Sequence, residues 1–240
     1  MPNINQTKGR RTLMKKALAI LACVFALPLW ASATQAALIT IGFQEAGVNG
    51  GAITTVAGPT AGTTGVIGLS YGTFSSNNVT GTGNPPLPGT SLLDSTALNV
   101  STDGAGTLKV YVTSQGNTSP LGLDSFFSSF TENVLSAGWT VTEQSFLDVA
   151  NVVFALTTPL SSAVFTNIGT STGTTLANVG AGPFSVTEVY TIVATGAGSA
   201  DSTIHLTVTP VPEPASLAIF GTALAALGLV GIRRRRRDEV

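Results

Sequence analysis

The sequence predicts an all-β fold: a β-sandwich-like body with one amphipathic helix, preceded by a signal helix and followed by a transmembrane helix. Along residues 37–210, short apolar runs alternate with clusters of Gly, Thr, Ser, Asn and Pro, as in antiparallel β proteins. Within residues 108–113 and 204–208, apolar and polar positions alternate, which gives a strand one buried and one solvated face. The number and spacing of these runs favour a sandwich.

The rest of the body also consists of short apolar runs separated by turn-forming residues, which predict further strands, one long loop and a turn. The segment at 77–91 holds three prolines and three glycines and is predicted to be a long exposed loop, while residues 103–106 are predicted to form a turn between strands. Further strands are predicted at residues 38–43, 66–74, 139–146, 152–157, 163–168 and 184–194.

One segment of the body departs from the β pattern. Its apolar residues recur at helical spacing, after Asp124 as a predicted N-cap and before Gly138 as a predicted stop. We therefore predict a helix over residues 125–137 whose apolar stripe packs on the sheet, with a partner-binding groove as the alternative. The residues of the stripe are Leu123, Phe126, Phe127, Phe130 and Val134.

The N-terminal segment has the organisation of a secretion signal. Five basic residues lie within the first sixteen, and the apolar run at 17–30 is too short to span a bilayer comfortably. Small residues follow it, so cleavage is expected between Ala36 and Ala37, with cleavage after Ala33 as the alternative. Residues 1–36 are thus predicted to be a signal peptide, and an uncleaved anchor helix is the competing interpretation.

Two details of this segment leave the export route open. Arg10 and Arg11 resemble a twin-arginine motif, and the alternative is the ordinary basic region of a general secretion signal. Cys23, the one cysteine of the chain, lies inside the apolar run, where a lipoprotein signal is a weaker alternative. Removal of the segment would leave the body without thiol or disulfide chemistry.

The C-terminal segment, residues 211–240, combines a rigid motif, an apolar run and a basic block. Prolines in the motif at 211–216 prevent a helix or a paired strand, which leaves this stretch extended and accessible to an enzyme. The run at 217–232 is predicted to span the membrane, and the tail at 233–240 to stay in the cytoplasm by the positive-inside rule. The motif residues are Val211, Pro212, Glu213 and Pro214, and the basic stop is Arg233, Arg234, Arg235, Arg236 and Arg237.

In order and spacing, these last thirty residues resemble the PEP-CTERM sorting signal of Gram-negative bacterial proteins. The resemblance implies processing near the motif by a membrane transpeptidase-like enzyme, exosortase, and delivery to the cell surface or to an exopolysaccharide matrix. It implies nothing about the fold or the activity of residues 37–210.

The body contains many more acidic than basic residues. Residues 37–210 hold nine acidic residues and one basic residue, Lys109. Nucleic acid is excluded as an expected partner because phosphate binding requires a basic surface. We expect the acids to keep the surface of the body soluble.

Candidate sites in the body are sparse. His205, the one histidine, lies on the polar side of its predicted strand, where a Ser-His-Asp triad with Asp201 is the alternative to a solvated side chain. Trp139 and Tyr111 suit either a core or a sugar-stacking surface. The segment at 103–106 lacks the alternating acidic ligands of a calcium loop, and no cofactor or metal is expected.

These observations predict a non-enzymatic protein of the bacterial surface or matrix, associated with exopolysaccharide. The expected partners of the precursor are the export translocon, signal peptidase, an exosortase-type enzyme and the inner membrane. The alternative is a secreted hydrolase of matrix polysaccharide, which would need two carboxyl groups facing each other across a cleft.

Overall fold

In a computed structural model, the chain is described for residues 36–211 and 219–224. Residues 36–211 form twelve strands and one short 3-10 helix at Asn49–Gly51, and residues 219–224 are helical. The strands are β1 Leu38–Glu45, β2 Thr54–Ala61, β3 Thr63–Tyr71, β4 Phe74–Gly83, β5 Ser91–Thr102, β6 Ala105–Asn117, β7 Leu123–Leu135, β8 Thr140–Asp148, β9 Thr158–Phe165, β10 Gly169–Asn178, β11 Phe184–Thr195 and β12 Gly198–Pro210.

The strands form two six-stranded antiparallel sheets. Sheet A has the order β2-β1-β6-β11-β8-β9, and sheet B has the order β10-β7-β12-β5-β4-β3. The predicted β-sandwich-like body is therefore confirmed. The signal helix, and most of the segment predicted to span the membrane, lie outside the described residues. Among the residues that are described, no helix has the length and apolar character needed to cross a bilayer.

The core lies between the sheets and is built by alternation along the strands. Ile39, Ile41 and Phe43 of β1 point inward and are at most 1% exposed. In sheet B, Ile204 and Leu206 of β12 also point inward and are completely buried. Successive side chains of a strand point to opposite faces, so each strand with this pattern has an outward row of polar residues as well.

The predicted helix at 125–137 is wrong, because this segment is strand β7. Its inward side consists of Phe126 and Phe130 together with three buried polar residues, whereas Phe127 and the flanking apolar residues face outward. Buried polar residues thus conceal the period of two, and the Phe residues happen to fall at helical spacing. The buried polar residues of β7 are Asp124, Ser128 and Glu132.

Other boundaries also differ from the prediction. The segment at 77–91 is not one loop, since β4 continues to Gly83 and only residues 84–90 connect it to β5. Residues 66–74 span the end of β3 and the start of β4, with Gly72 between them at a φ of +60°. Strands β2, β4, β5 and β10 were not predicted. The turn at residues 103–104 between β5 and β6 is confirmed.

Residues 149–157, part of which was predicted to be a strand, instead cross the outer face of sheet A. Phe154 packs against Tyr111, with ring centroids 5.8 Å apart, and its backbone N–H donates to Thr113 Oγ1. Asp148 holds the start of the crossing by accepting hydrogen bonds from the N–H of Val152 and the hydroxyl of Thr157. Part of the outer face of sheet A is consequently covered by the chain itself.

Candidate functional site

The outer face of sheet B is an open surface of hydroxyl side chains. One outward residue from each of its six strands forms a continuous row, in which every neighbour is a cross-strand pair. Strands lie about 4.8 Å apart, so this central row is roughly 24 Å long. In order across the sheet, the central row is Thr172, Ser129, His205, Asp94, Thr82 and Thr63.

Parallel rows flank the central row and repeat its chemistry. We call the central and flanking rows together the hydroxyl face. On one side lies a row of three threonines, from β10, β7 and β12. On the other side is a row with a single aromatic residue, Phe127, which is 40% exposed. The first flanking row is Thr170, Thr131 and Thr203, and the second is Thr174, Phe127, Thr207 and Ser91.

Most hydroxyl groups of this face have no partner within the protein. In the described part of the chain, no side-chain hydrogen bond is made by Ser129, Thr131, Thr172, Thr174 or Thr207. Since these side chains are exposed or half-buried, water is their present partner. An incoming polar ligand can therefore replace that water without breaking any bond of the fold.

The outer face of sheet A is different because many of its polar groups are already paired. Thr113 and Thr187 bond each other at 2.9 Å, and Tyr111 donates to Gln44 Oε1 at 2.6 Å. Gln44 in turn donates to the carbonyl of Gly51. Beside this network, Gln44 and Lys109 line a shallow open depression that holds the one basic side chain of the body.

At the centre of the hydroxyl face, Asp94 and His205 lie close enough to form an ion pair when the imidazole is protonated. Their Oδ2 and Nδ1 atoms are 3.8 Å apart, and the side chains are 25% and 37% exposed. The predicted location of His205 on a polar strand face is confirmed, but its partner is Asp94 rather than Asp201, which pairs with Asn99 along the strands. Burial raises the pKa of Asp94, and the charge of His205 acts in the opposite direction.

A second polar cluster lies on the inner side of the same sheet, inside the sandwich. Glu132 of β7 lies near Glu143 of sheet A, which in turn lies near Glu188 of the same sheet, and all three are at most 2% exposed. Ser202 Oγ donates to Glu132 Oε2 at 2.6 Å. Ser95 hydrogen-bonds both Glu188 and Tyr190, whereas neither oxygen of Glu143 has a hydrogen-bond partner.

These three carboxyl groups, which we call the inner carboxyl cluster, have no basic partner among the described residues. Burial raises the pKa of Glu132 to about 7. Burial and the neighbouring Glu132 raise the pKa of Glu143 to about 8. Burial likewise raises the pKa of Glu188 well above its ordinary value. These carboxyl groups are therefore uncharged in mildly acidic solution, and Glu132 is about half ionised at pH 7.

Burial of acids also corrects the expectation that they keep the surface soluble. Six of the nine acidic residues of the body are buried, which leaves only three acids to charge the surface. The outward-facing acids are Asp94, Asp103 and Asp201, and the buried acids are Glu45, Asp124, Glu132, Glu143, Asp148 and Glu188.

Both aromatic candidates for sugar stacking lie in hydrophobic clusters. Trp139 is 1% exposed and donates its indole N–H to the carbonyl of Gly196 at 3.1 Å. Tyr111 is 3% exposed beneath Phe154. Neither can stack on a sugar. The exposed aromatic of the hydroxyl face, Phe127, was assigned by the sequence to a buried helix stripe.

The described structure contains no strand-to-helix turn of the kind that carries a nucleophilic serine in Gly-x-Ser-x-Gly hydrolases. Gly-x-Ser-x-Gly spacing occurs at residues 68–72 and 169–173, but the first runs from β3 into a turn and the second lies within β10. Neither stretch is the strand-to-helix elbow that exposes a nucleophilic serine. Within residues 36–211 and 219–224, no three His, Cys, Asp or Glu side chains are grouped so as to hold a metal ion.

Few of the predicted processing residues lie within the described residues. Ala36 and Ala37 immediately precede β1, and Ala37 is 1% exposed. Val211 follows β12, and its N–H donates to the carbonyl of Leu123 at 3.2 Å. The prolines and the glutamate of the motif lie outside the described residues, as do Arg233, Arg234, Arg235, Arg236 and Arg237.

Comparisons with known proteins yield little. No family model matches the sequence, and no curated protein matches it. Among solved structures, TmCBM61 in complex with β-1,4-galactotriose is 11% identical, over 57% of this chain and 87% of that one, with a TM-score of 0.30. Arthrobacter globiformis T6 isomalto-dextranase in complex with panose is 15% identical, over 72% of this chain and 30% of that one, with a TM-score of 0.26. Likenesses of this size carry no functional argument.

Proposed function

We propose that the body is a non-catalytic polysaccharide-binding module that uses the hydroxyl face of sheet B. The observation that carries the proposal is the central row, in which six strands present polar side chains side by side, together with flanking rows whose hydroxyls mostly have no partner within the described protein. Sugar chains are polyols, and each hydroxyl can both donate and accept. An extended polymer therefore matches a surface of side-chain hydroxyls that also do both.

The chemistry of the face argues against other macromolecules. Protein interfaces rely on buried aromatic and arginine anchors, whereas the three rows of this face hold one aromatic residue, Phe127, and no arginine. A nucleic acid would require basic residues, and the one base of the body lies on sheet A.

Individual contacts on such a face are weak. Each exchange of water for a sugar hydroxyl contributes about 0.5–1.5 kcal/mol, so one short oligosaccharide should bind loosely. Many units of a polymer can engage the surfaces of many copies, and this multivalency raises the overall affinity. We expect a matrix-associated protein rather than a tight receptor for a small sugar.

Affinity electrophoresis of the purified mature protein in gels that contain neutral polysaccharides tests the proposal. Retardation by at least one polymer is expected, and the triple variant Thr172→Val, Thr174→Val and Thr207→Val should abolish it. The matched control is Thr142→Val with Thr191→Val, a cross-strand pair on the outer face of sheet A. Equal retardation of the triple variant and the wild type would refute the proposal.

We do not extend the proposal to hydrolysis. The carboxyl groups that face one another lie inside the sandwich, where a polysaccharide has no access. The acids near the bound polymer would be Asp94 and Asp201, which lie on neighbouring strands but are not a cross-strand pair.

We further propose that the precursor is exported through its N-terminal signal and sorted through its PEP-CTERM-like segment to the cell surface or the biofilm matrix. The order of proline motif, apolar run and arginine block supports this. Intact mass of the surface protein should show loss of the chain beyond the motif. The variant Pro212→Ala with Pro214→Ala should insert normally but keep its tail and remain in the inner membrane. A wild-type surface protein that retains Arg233 in cells with exosortase would exclude sorting.

A further inference from the structure

Asp94 and His205 differ from every other residue of the hydroxyl face. They form the one ion pair in the described part of the chain, and they occupy the two central positions of the central row. The distance of 3.8 Å between Nδ1 and Oδ2 is longer than a hydrogen bond, so the two side chains do not use each other as a close partner. Asp94 Oδ1 is buried without a hydrogen-bond partner, so Oδ2 is the oxygen that this carboxyl group presents at the surface.

The pair therefore presents an acceptor and a donor side by side. A carboxylate oxygen accepts hydrogen bonds, and an imidazole N–H donates one. Two hydroxyl groups on adjacent carbons of a sugar ring are held at a comparable short spacing by the ring itself. One of these hydroxyls can donate to Asp94 while the other accepts from His205. Hydrogen bonds to an ionised group are about twice as strong as neutral ones.

Neighbouring residues continue the row on both sides of the pair. Ser129 is the cross-strand neighbour of His205, and Thr82 is that of Asp94. Thr203 and Thr207 precede and follow His205 on the same face of β12. A sugar unit seated on the pair would thus have further hydroxyl contacts in four directions, which suits an internal unit of a chain.

Charge restricts the class of polymer. The acids that face outward near this position are Asp94 and Asp201, and the base of the body, Lys109, lies on sheet A. A polymer with carboxylate or sulfate groups would place negative charge beside these acids, and His205 is the one opposing group on the three rows. Repulsion at this short range is only partly screened by salt.

We propose that Asp94 and His205 form the specificity subsite of the hydroxyl face and bind a vicinal diol of an internal sugar unit in a neutral polysaccharide. This inference rests on the proposed polysaccharide-binding function and adds the feature of the polymer that is recognised. The other hydroxyls of the face supply affinity without selecting among neutral polymers.

The test compares matched polymers against the purified mature protein. Dextran offers vicinal diols on every unit. Periodate oxidation followed by borohydride reduction destroys those diols while leaving the polymer neutral, and carboxymethyl-dextran keeps diols but adds negative charge. A linear β-1,3-glucan is neutral but has no vicinal diol within its chain. Dissociation constants for the four polymers should favour dextran by about tenfold or more over each of the others.

Variants separate this inference from the proposed function. Asp94→Asn and His205→Ala should each lower dextran affinity about tenfold and remove the preference over the oxidised polymer. Thr172→Val with Thr174→Val should weaken binding to every neutral polymer and leave the preference intact. If the Asp94 and His205 variants keep the wild-type preference for dextran, the subsite proposal is wrong, but the proposed polysaccharide-binding function still stands. If the wild type binds none of the four polymers, the subsite and the proposed function both fail.

Discussion

The two sides of sheet B carry polar residues under opposite conditions. On the outer side, Ser129 and Thr207 have free hydroxyls that contact water. On the inner side, Glu132 and Ser202 are bonded to each other and sealed against sheet A. Alternating residues of one strand therefore lie on an open hydroxyl-bearing face and in a buried network. Sheet B thus keeps Glu132 inside with a raised pKa, while its outer face carries mainly hydroxyl groups with Asp94, Asp201 and His205 among them.

The largest expected effect concerns the inner carboxyl cluster and pH. Between pH 4.5 and the raised pKa values of about 7 for Glu132 and about 8 for Glu143, the folded protein holds protons that the unfolded chain has released. The contribution of these groups to stability is therefore greatest below about pH 4.5 and falls as pH rises to about 8. Each pKa unit corresponds to about 1.4 kcal/mol, so a loss on the order of 5 kcal/mol is expected.

Urea unfolding at pH 5, 6, 7 and 8 measures this loss directly. Trp139, the single tryptophan of residues 37–210, reports the transition because it is buried in the core. A free energy of unfolding that is constant or rises over this range would contradict the burial of uncharged carboxyl groups between the sheets.

A smaller effect is expected from removing the carboxyl group that has no partner. Glu143→Met replaces two unpaired buried oxygens by an apolar side chain of similar size. We expect a gain of about 1–3 kcal/mol at pH 8 and a shallower dependence on pH. Glu188→Met is the matched control, since it deprives Ser95 of a bonded partner and should destabilise the protein even at pH 5. The account is wrong at this point if both variants lose the same stability at pH 8.

The outer side of the sheet offers a test of intermediate size. Phe127→Ala should weaken polymer binding about threefold to tenfold, because an exposed aromatic face that stacks on a sugar contributes roughly 0.5–1.5 kcal/mol. Leu176→Ala is the control, since Leu176 is a 62% exposed apolar residue of the neighbouring β10. Titration calorimetry with a bound polymer distinguishes them. Equal effects of the two variants would indicate general hydrophobic contact instead of stacking.

The smallest expected effect is on folding. Thr172→Val with Thr207→Val removes two hydroxyls that bond nothing in the described protein, so the free energy of unfolding should change by no more than about 0.5 kcal/mol. Urea unfolding of this variant beside the wild type measures the change. A loss of several kcal/mol would mean that the hydroxyls serve the fold, and the contrast between the two sides of the sheet would disappear.

Local patterns predicted the strands whose inner side is mostly apolar, such as β1 and β6. They failed on β7, where buried Ser128 and Glu132 interrupt the alternation. They also missed β10, an edge strand that is mostly Gly, Thr and Ser and carries one large apolar residue, Leu176. Such strands are defined by their cross-strand partners, which the local sequence does not contain.

Of the candidate site, the sequence predicted only the exposed position of His205. The polar neighbours of His205 placed it correctly on a solvated strand face. Its partner Asp94 lies more than a hundred residues away, and the pairing depends on register shifts between β12 and β5. The central row is assembled from six strands in the same way. The residues of this surface come from strands that are distant in sequence, so no local spacing pattern predicts it.

Mapping of a bound polymer by nuclear magnetic resonance tests the central claim most directly. With threonine methyl groups labelled, titration with the polymer that binds best should shift the signals of Thr172, Thr203 and Thr207 on the hydroxyl face. The signals of Thr142 and Thr191, on the outer face of sheet A, should stay in place. Shifts that cluster on sheet A, with the hydroxyl face unchanged, would contradict the account.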